Sequence, residues 1–595
     1  MVKNKFCAGS FIGIVFSLLF LTTACSKVPD ALDSTEVATE SGDVKGYQHS
    51  KHTLAWLGIP YAAPPEGKLR WRKPQPVKHW DNTKETLQFG SSCIQFPNPL
   101  AGKNAPESEL VVGSEDCLTL NIFAPENALT NHKPKPVMFW IHGGANITGT
   151  SQQFDGALLA STQDVVVVTI NYRLGLLGWI RHAVLREGTT DLAEHSGNFG
   201  TLDIISALSW INRNIAAFGG DPNQITIFGE SAGGRNVWSL IQSPLASGLF
   251  QRAITQSGTL KTMDPLKSEQ HNLTAIDYPQ YQNNSAELVT AWFGETESMS
   301  ALSLADKIRA LSPDELYQGI NTKTSVIYSQ PLLFLDGHVF VAPALELFKD
   351  PSRYNSVPIM TGGNRDETKL FLPFDERWVD LKLGFYPVIK NQQRYDAVAA
   401  YGSDAWKAFT ADIPAKVISE NGGKPVYIYR FDFDDLLSWP VDLSKMLGAA
   451  HGFEIPFIFG SQNVFPSSWL LSNADERDQL GEQMMQYWGQ FAHSGDPGRG
   501  TKNQNPKWLQ WQENVINTLI LDTKSDGGIR MISNKVSASD LKMRLHNDTL
   551  FNDEEKCEFY IQMFLNGYQD IAAYDELEYS NFVESGCPLE NKVKS

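Results

Sequence analysis

Three stretches of almost uninterrupted apolar residues stand out along the chain, at 137–142, 165–170 and 225–228. A strand that is covered on both faces in a parallel sheet has this continuous pattern, so each stretch predicts a buried strand. Two later stretches, 357–360 and 426–431, predict further strands.

Segments between and after these strands show the periodicity of amphipathic helices. Residues 202–217 and 477–493 each carry one apolar stripe. The stripe residues are Ile205, Leu208, Ile211 and Ile215 in the first, and Leu480, Met484, Tyr487, Trp488 and Phe491 in the second. Strands that alternate with helices predict an α/β protein with a large, mostly parallel central sheet. The second stripe predicts core packing rather than a lipid-binding face, and residues 301–320 predict helices inserted above the sheet.

Other segments break the pattern. Residues 57–65 contain Pro60, Pro64 and Pro65 and predict an ordered, irregular surface segment. The acidic residues 550–595 predict a C-terminal extension, so the main domain is expected to span 37–549.

Composition narrows the class of function. The chain has 595 residues, of which 42% are hydrophobic and 20% charged, as in globular proteins. Its formal net charge of -17 argues against nucleic acid as a partner, because binding to nucleic acid requires a basic face.

The N-terminus has the pattern of an export signal. Lys3 and Lys5 precede an apolar run at 6–21, and small residues lead to Cys25. This predicts a signal peptide over 1–24 and a polar tether over 25–36. Cys25 resembles the lipidated cysteine of a bacterial lipobox, although Thr22 stands where leucine is commonest. We expect a lipid-anchored protein of the cell envelope, with a secreted or periplasmic protein as the alternative.

Four cysteines remain after Cys7 and Cys25. They are Cys93, Cys117, Cys557 and Cys587, which allow three pairings. The local pairs Cys93–Cys117 and Cys557–Cys587 are expected in an oxidising compartment, and four free thiols are the alternative.

The candidate chemistry centres on Gly229-Glu230-Ser231-Ala232-Gly233, which lies between a predicted strand and a predicted helix. This G-x-S-x-G pattern is typical of a nucleophile elbow, in which flanking glycines allow the sharp turn that exposes the serine oxygen. His142-Gly143-Gly144-Ala145 directly follows an earlier strand and is a candidate oxyanion loop.

In folds with this elbow the acid and then the histidine follow the serine along the chain. That order excludes every histidine before Ser231, and His451, in a loop of small residues, is the best placed of those that follow. Asp366 and Glu367 both follow the strand at 357–360, across an expected turn at 362–364. Spacing alone does not choose between these two carboxylates.

The chain resembles the type-B carboxylesterases, the cholinesterase-like branch of the α/β-hydrolases. The matching motifs run in order from about residue 37 to about residue 525. They include Gly-Ile-Pro-Tyr-Ala at 58–62, Glu-Asp-Cys-Leu at 115–118, Asn-Tyr-Arg-Leu-Gly at 171–175, Phe-Gly-Gly-Asp-Pro at 218–222, Asn-Arg-Asp-Glu at 364–367 and His-Gly-Phe-Glu at 451–454.

The resemblance implies a catalytic role for particular residues. It implies a triad of Ser231, Glu367 and His451, with an oxyanion hole formed by the amides of Gly144, Ala145 and Ala232. It implies that Ser257 and Glu230 lie beside the triad, and that Cys93–Cys117 is the family's first disulfide. The implied reaction is hydrolysis of a small-molecule carboxylic ester through an acyl-enzyme, without a cofactor or a metal.

The chain departs from the family pattern at several positions. No tryptophan lies between Cys93 and Cys117, where cholinesterases carry one that binds quaternary ammonium, so choline esters are not expected substrates. Asn146 is expected to make the pocket mouth more polar. Arg235 replaces a small residue, and the sequence does not identify its partner. A lipase or sterol-esterase remains an alternative, as does a non-catalytic binding protein, although the latter would be expected to lack part of the triad.

Overall fold

The structure is a computed structural model that describes residues 28–50, 52–101, 110–131, 133–271, 281–294, 299–321, 328–460, 470–513, 515 and 517–566. The predicted signal segment, Cys25 and Cys587 lie outside these ranges. Within them, no helix combines the length and apolar character needed to span a membrane.

The strands are named in chain order. They are β1 (Glu36–Thr39), β2 (Gly42–Lys45), β3 (Tyr47–Ser50), β4 (Thr53–Pro60), β5 (Lys84–Glu85), β6 (Thr119–Pro125), β7 (Lys135–Ile141), β8 (Val166–Ile170), β9 (Gly220–Glu230), β10 (Arg252–Gln256), β11 (Ile359–Asn364), β12 (Val379–Lys382), β13 (Tyr386–Ile389), β14 (Val426–Phe431), β15 (Thr518–Leu521) and β16 (Arg530–Ile532).

The α-helices are numbered in the same way. They are α1 (Ala157–Gln163), α2 (Gly175–Gly178), α3 (Ala183–Arg186), α4 (Leu192–His195), α5 (Phe199–Asn214), α6 (Ala232–Gln242), α7 (Ser285–Phe293), α8 (Ala301–Ala310), α9 (Pro313–Gln318), α10 (Ala344–Leu347), α11 (Gln392–Lys407), α12 (Ile413–Glu420), α13 (Leu443–Met446), α14 (Ile455–Phe459), α15 (Ala474–Ser494), α16 (Ala538–Asn547) and α17 (Asp553–Tyr560).

One 11-stranded sheet organises the molecule, in the order β16-β15-β14-β11-β10-β9-β7-β8-β6-β4-β3. The strands from β15 to β8 run parallel to one another, and antiparallel strands complete both edges. The predicted mostly parallel sheet is therefore confirmed. The apolar stretches at 137–142, 165–170, 225–228 and 426–431 lie in β7, β8, β9 and β14, except for His142 and Val165, which flank β7 and β8.

Each face of the sheet carries its own hydrophobic core. Helix α5 packs on one face, and Leu208 and Ile211 are fully buried there. Helix α15 packs on the other face, where Met484, Trp488 and Phe491 are fully buried. The stripe on α15 thus forms core, as expected. The predicted helical segment at 301–320 contains α8 and α9, whereas α7, with Asn284 as its N-cap, was not foreseen.

One prediction of irregular structure is wrong, and another is confirmed only for residues 61–65, which belong to no helix or strand. Residues 57–60 belong to β4, where Ile59 is fully buried and Pro60 is the last residue of the strand. A proline is tolerated at a strand end because few ladder bonds depend on its missing N–H. Residues 362–364 belong to β11 rather than to a turn. A Cβ at Gly362 would lie 2.4 Å from the carbonyl oxygen of Tyr429, so glycine there lets β14 approach closely.

Contacts with the domain begin before residue 37, within the segment 25–36 that the sequence predicts as a tether. Thr35 is fully buried, and its Oγ1 accepts a hydrogen bond from Gly46 N at 3.0 Å. The indole of Trp56 donates to the carbonyl oxygen of Thr35 at 2.9 Å. At the other terminus, the described part of the extension packs on the domain, with the ring of Phe559 stacked on that of Tyr401 at 6.2 Å.

Parallel register brings the carboxyl ends of the central strands to one edge of the sheet. Ile141, near the end of β7, is paired with Gly229 in β9, and Glu230 is paired with Gln256 at the end of β10. Gln256 in turn is paired with Gly362 in β11. Loops that follow β7, β9, β10 and β11 therefore converge at this edge, where α/β proteins place their sites.

Candidate active site

The turn at Ser231 joins β9 directly to α6. Ser231 has φ 57° and ψ -119°, a backbone conformation that non-glycine residues rarely adopt. A Cβ on Gly233 would lie 1.9 Å from the carbonyl oxygen of Ile141. Only glycine at position 233 therefore allows the first turn of α6 to pack against β7. The pattern around Ser231 is thus required by close packing of a helix against a strand end.

The loop after β7 lies beside Ser231. Gly144 has φ +98°, and its carbonyl oxygen accepts hydrogen bonds from Ile147 N and Thr148 N, each at 3.0 Å. The Gln95 side chain supports the loop by accepting a hydrogen bond from Gly149 N at 2.8 Å. Gly144, Ala145 and Ala232 line the same cavity as Ser231. The three residues expected to form the oxyanion hole therefore share one cavity with Ser231.

Asn146 does not make the pocket mouth polar, which corrects the expectation from the sequence. It is fully buried and lies outside the cavity lining. Its Oδ1 accepts a hydrogen bond from the Asn236 amide at 2.8 Å and one from the Tyr172 hydroxyl at 3.3 Å. Because Ala145 and Asn146 both have positive φ, at 57° and 61°, the chain turns and directs Asn146 beneath the loop.

His451 lies between α13 and α14, and its Nδ1 atom is 2.5 Å from Oε2 of Glu367. The other carboxylate oxygen of Glu367 accepts hydrogen bonds from the Ser257 hydroxyl at 2.5 Å and from Asn364 N at 2.7 Å. Both carboxylate oxygens are therefore engaged, and Glu367 is almost completely buried. This arrangement fixes the orientation of the imidazole ring.

The neighbouring carboxylate, Asp366, points to a different set of partners. Arg365 donates two hydrogen bonds to its Oδ2, and Lys369 Nζ lies 3.3 Å from its Oδ1. Burial would raise the pKa of Asp366, but these two cations outweigh it and lower the pKa. Asp366 also joins the segment before His451 through hydrogen bonds to and from the backbone of Ala449. The structure thus places Glu367, and not Asp366, against the histidine.

Glu230 occupies the other side of the imidazole. Its Oε1 lies 3.2 Å from Nε2 of His451, and its side chain is buried. Burial raises the pKa of Glu230 to about 8. Burial would lower the pKa of His451, but the charges of Glu230 and Glu367 raise it to about 9. The two titrations are coupled, because a proton on Glu230 removes a charge that raises the pKa of the histidine.

Several residues that the sequence analysis did not single out surround this centre. The ring of Trp406, from α11, lies 4.8 Å from the ring of His451, and its indole donates to the Ser257 carbonyl at 3.0 Å. Phe371 stacks on Trp406 at 6.4 Å. Glu454 is fully buried, and its carboxylate accepts a hydrogen bond from the Asn364 amide at 2.7 Å. The sequence signal for Glu454 was its position three residues after His451, whereas no local pattern marks Trp406.

Ser231, His451 and Glu230 line one cavity of about 280 Å³. The rest of its lining is mostly apolar or small. The lining residues are Leu100, His142, Gly143, Gly144, Ala145, Gly149, Gln153, Phe154, Glu230, Ser231, Ala232, Arg235, Ser257, Thr259, Leu370, Phe371, Trp406, His451, Gly452 and Ile455. Burial lowers the pKa of His142 to about 4, and its Nδ1 atom lies 2.8 Å from the carbonyl oxygen of Gly143.

A disulfide joins Cys93 to Cys117, as expected, with their Cα atoms 5.1 Å apart. The one aromatic residue of the enclosed segment, Phe96, packs edge-on against Tyr317 at 5.1 Å. Cys557 is buried in the described chain, but Cys587 lies outside it, so their pairing stays a prediction.

Comparison with known proteins gives consistent matches over most of the chain. A family model described as the carboxylesterase family matches residues 33–381 and 389–543. The para-nitrobenzyl esterase of Bacillus subtilis is 31% identical over 523 residues, which are 82% of this chain and 95% of that protein. The liver carboxylesterase of Sus scrofa is 33% identical over 528 residues, covering 80% of this chain and 88% of that protein.

Comparison with solved structures also gives matches to esterases over most of the chain. A PNB esterase matches with a TM-score of 0.63 and 29% identity, covering 84% of this chain and 97% of the other. A carboxylesterase of Geobacillus stearothermophilus matches with a TM-score of 0.65 and 28% identity, covering 86% and 99%.

Proposed function

The chain belongs to the carboxylesterase family and is a serine carboxylic-ester hydrolase with the α/β-hydrolase fold, and on that premise we propose that Ser231, His451 and Glu367 are its catalytic triad. The observation that carries this assignment is the contact of 2.5 Å between Glu367 Oε2 and Nδ1 of His451, which lines the same cavity as Ser231. A base held in one orientation beside a serine on a strained turn is the arrangement that nucleophilic catalysis needs.

In the acylation step, Ser231 Oγ attacks the ester carbonyl carbon while His451 Nε2 takes the hydroxyl proton. Negative charge develops on the carbonyl oxygen, and the amides of Gly144, Ala145 and Ala232 stabilise it. The tetrahedral intermediate expels the alcohol oxygen, which receives the proton from His451. Water then attacks the acyl-enzyme by the same path and releases the carboxylic acid and Ser231.

Glu367 and Ser257 act by holding the histidine. The carboxylate accepts a hydrogen bond from Nδ1–H, which leaves Nε2 unprotonated and available as the base. The Ser257 hydroxyl and the Asn364 backbone N–H both donate hydrogen bonds to the second carboxylate oxygen. These bonds hold Glu367 in the orientation that contacts His451.

The assignment of the nucleophile is tested by Ser231→Ala. We expect loss of hydrolysis of short-chain aryl esters by several orders of magnitude, with unchanged circular dichroism and thermal midpoint. Ser247→Ala, at an exposed serine after α6, is the matched control and should keep full activity. A Ser231→Ala variant with near-normal turnover would show that another group is the nucleophile.

We also propose that the protein is exported and carries a lipid on Cys25, which would anchor it to the membrane. The support is the sequence of residues 1–25, together with the Cys93–Cys117 disulfide, which is typical of oxidising compartments. Metabolic labelling with palmitate tests this proposal. Label should be incorporated into the wild-type protein and be absent from Cys25→Ala, and equal labelling of both would exclude Cys25 as the site.

A further inference from the structure

One indole ring packs against the proposed catalytic histidine, and the mechanism above assigns it no role. Trp406, near the end of α11, lines the cavity. Its ring centre lies 4.8 Å from that of His451, with the two ring planes at 42°. Its Nε1 atom donates a hydrogen bond to the carbonyl oxygen of Ser257 at 3.0 Å. Both the ring and the N–H group of this side chain are therefore engaged within the site.

The contacts of Trp406 close a ring of four interacting residues. Oε2 of Glu367 lies 2.5 Å from Nδ1 of His451, and Oε1 of Glu367 accepts the Ser257 hydroxyl proton in a hydrogen bond of 2.5 Å. The Ser257 carbonyl accepts the hydrogen bond from Trp406, whose ring contacts His451. The imidazole is therefore restrained at Nδ1 by a carboxylate and across its ring by an indole.

Close packing of α11 sets the position of Trp406. A Cβ on Gly402 would lie 2.6 Å from Cγ2 of Thr368, the residue after Glu367. The Thr368 hydroxyl also donates a hydrogen bond to the carbonyl oxygen of Ala399 at 3.0 Å. Trp406 lies about one helical turn after Gly402. The helix that packs on the segment of the catalytic carboxylate thus also places the indole against the histidine.

A π turn at 408–412 directly follows α11, and at its end a backbone N–H donates to the carbonyl oxygen five residues earlier. Pro414 has no N–H and cannot donate to the carbonyl oxygen of Thr410. That oxygen instead accepts a hydrogen bond from Thr361 Oγ1, in β11, at 3.2 Å. The Thr410 hydroxyl donates to the carbonyl oxygen of Trp406 at 2.8 Å. Thr410 therefore ties Trp406 to the strand that leads to the catalytic carboxylate, and π turns are frequent at functional sites.

The reaction uses His451 in two charge states. The neutral imidazole takes the proton of Ser231 and becomes an imidazolium. The imidazolium then gives its Nε2 proton to the leaving oxygen while the C–O bond of the tetrahedral intermediate breaks, so that a neutral alcohol departs. An aromatic ring attracts a cation that lies within about 6 Å of its centre. The contact with Trp406 should therefore be stronger for the imidazolium than for the neutral base, and such a difference lowers the barrier.

We propose that Trp406 is a positioning residue of this reaction, which acts through His451 by restraining the imidazole and stabilising the imidazolium that protonates the leaving alcohol. This inference rests on the proposed function, because it takes His451 as the base for Ser231. It predicts that Trp406 matters most where the leaving oxygen depends on that proton. An alkoxide must be protonated as it leaves, whereas 4-nitrophenoxide is a stable anion that leaves without a proton.

The test compares two esters that share one acyl group. Ethyl butanoate and 4-nitrophenyl butanoate form the same acyl-enzyme and differ only in the leaving group. The ratio of their kcat/KM values, ethyl over nitrophenyl, is measured in the wild type and in Trp406→Leu, and it does not depend on the fraction of active enzyme. We expect Trp406→Leu to lower this ratio by about fivefold or more. The loss on the ethyl ester should appear in kcat rather than in KM.

Two further variants complete the design. Trp406→Phe keeps an aromatic ring but lacks the indole N–H, so it should lower the ratio less than Trp406→Leu, and it provides the test if the leucine variant does not fold. Trp80→Leu is the matched control. The indole of Trp80 also donates to a backbone carbonyl, that of Asp43 at 2.9 Å, and Lys84 Nζ lies 4.5 Å from its ring centre, but Trp80 does not line the cavity. Its substitution should leave the ratio unchanged.

An unchanged ratio in both Trp406 variants would overturn the inference. This holds whether the two rates stay normal or fall together, because an equal fall is what the loss of structural support alone produces. A fall of the ratio in Trp80→Leu as large as that in Trp406→Leu would overturn it as well. Neither result concerns the nucleophile, because the measurement of Ser231→Ala on aryl esters decides that assignment separately.

Discussion

Oε1 of Glu230 lies 3.2 Å from Nε2 of His451, on the side of the ring opposite the 2.5 Å contact with Glu367. The proposed catalytic base is therefore held between two buried carboxyl groups. One of them fixes its orientation, and the other faces the nitrogen that must accept the proton from Ser231.

The contact with Glu230 predicts a shift in the pH profile. A nearby negative charge favours the protonated imidazole, so Glu230→Gln should lower the pKa of His451. Since the neutral imidazole is the active base, the acid limb of the kcat/KM profile should move to lower pH, by about one unit. Profiles of both enzymes on a soluble aryl ester measure the shift. An acid limb that stays in place or moves upward would contradict this account.

Substitutions of the two adjacent carboxylates are expected to impair different properties, catalysis at Glu367 and stability at Asp366. Glu367→Gln cannot hold the Nδ1 proton in the same way, and we expect kcat to fall by about 10³-fold to 10⁴-fold with little change in folding. Asp366→Asn removes the charge that pairs with Arg365 and Lys369, so it should mainly lower the thermal midpoint. Steady-state kinetics and thermal denaturation of both variants make the comparison. A larger catalytic loss in Asp366→Asn would reverse the assignment of the acid.

The disulfide predicts a measurable contribution to stability. It closes a loop with a sequence separation of 24 residues. In the chain-entropy account, a loop of this size stabilises the fold by about 3 kcal/mol. The double variant Cys93→Ser, Cys117→Ser should therefore unfold at a lower urea concentration than the wild type, measured by tryptophan fluorescence. An unchanged midpoint would mean that the loop is ordered by other contacts, such as that between Phe96 and Tyr317.

The cavity predicts a preference for small, soluble esters. Its volume of about 280 Å³ lies just below the usual range for ligand pockets. We expect kcat/KM to decline as the acyl chain lengthens and turnover of emulsified long-chain esters to be slow. Rates on a series of 4-nitrophenyl esters and on an emulsified triglyceride test this expectation. Faster turnover of the emulsion would favour the lipase alternative.

The elements that the sequence predicted well are those with a local physical cause. The elbow at Ser231 could be predicted because the packing of α6 against β7 leaves no space for a side chain at position 233. That position is therefore glycine, and the glycine is part of the sequence pattern. The strand β14 was visible because five of its six residues are buried, and those five are apolar or aromatic. Such requirements act on one short segment at a time.

The errors concern direction and long-range contact. Asn146 was expected at the pocket mouth, but two consecutive positive φ values, at Ala145 and Asn146, turn its side chain beneath the loop. Asp366 and Glu367 are neighbours in sequence, and only the packing of the turn after β11 separates their partners. Trp406 reaches the histidine from α11, far along the chain, so no local pattern could indicate that contact.

The backbone of Ser231 has an evolutionary consequence. A non-glycine residue held at φ 57° and ψ -119° costs of order 1–3 kcal/mol, and glycine at the same place would relieve that strain. The most stable form of this protein is therefore not the one that hydrolyses esters. A lineage that no longer needed the reaction would gain stability by drifting to glycine, so selection for turnover must keep opposing that drift.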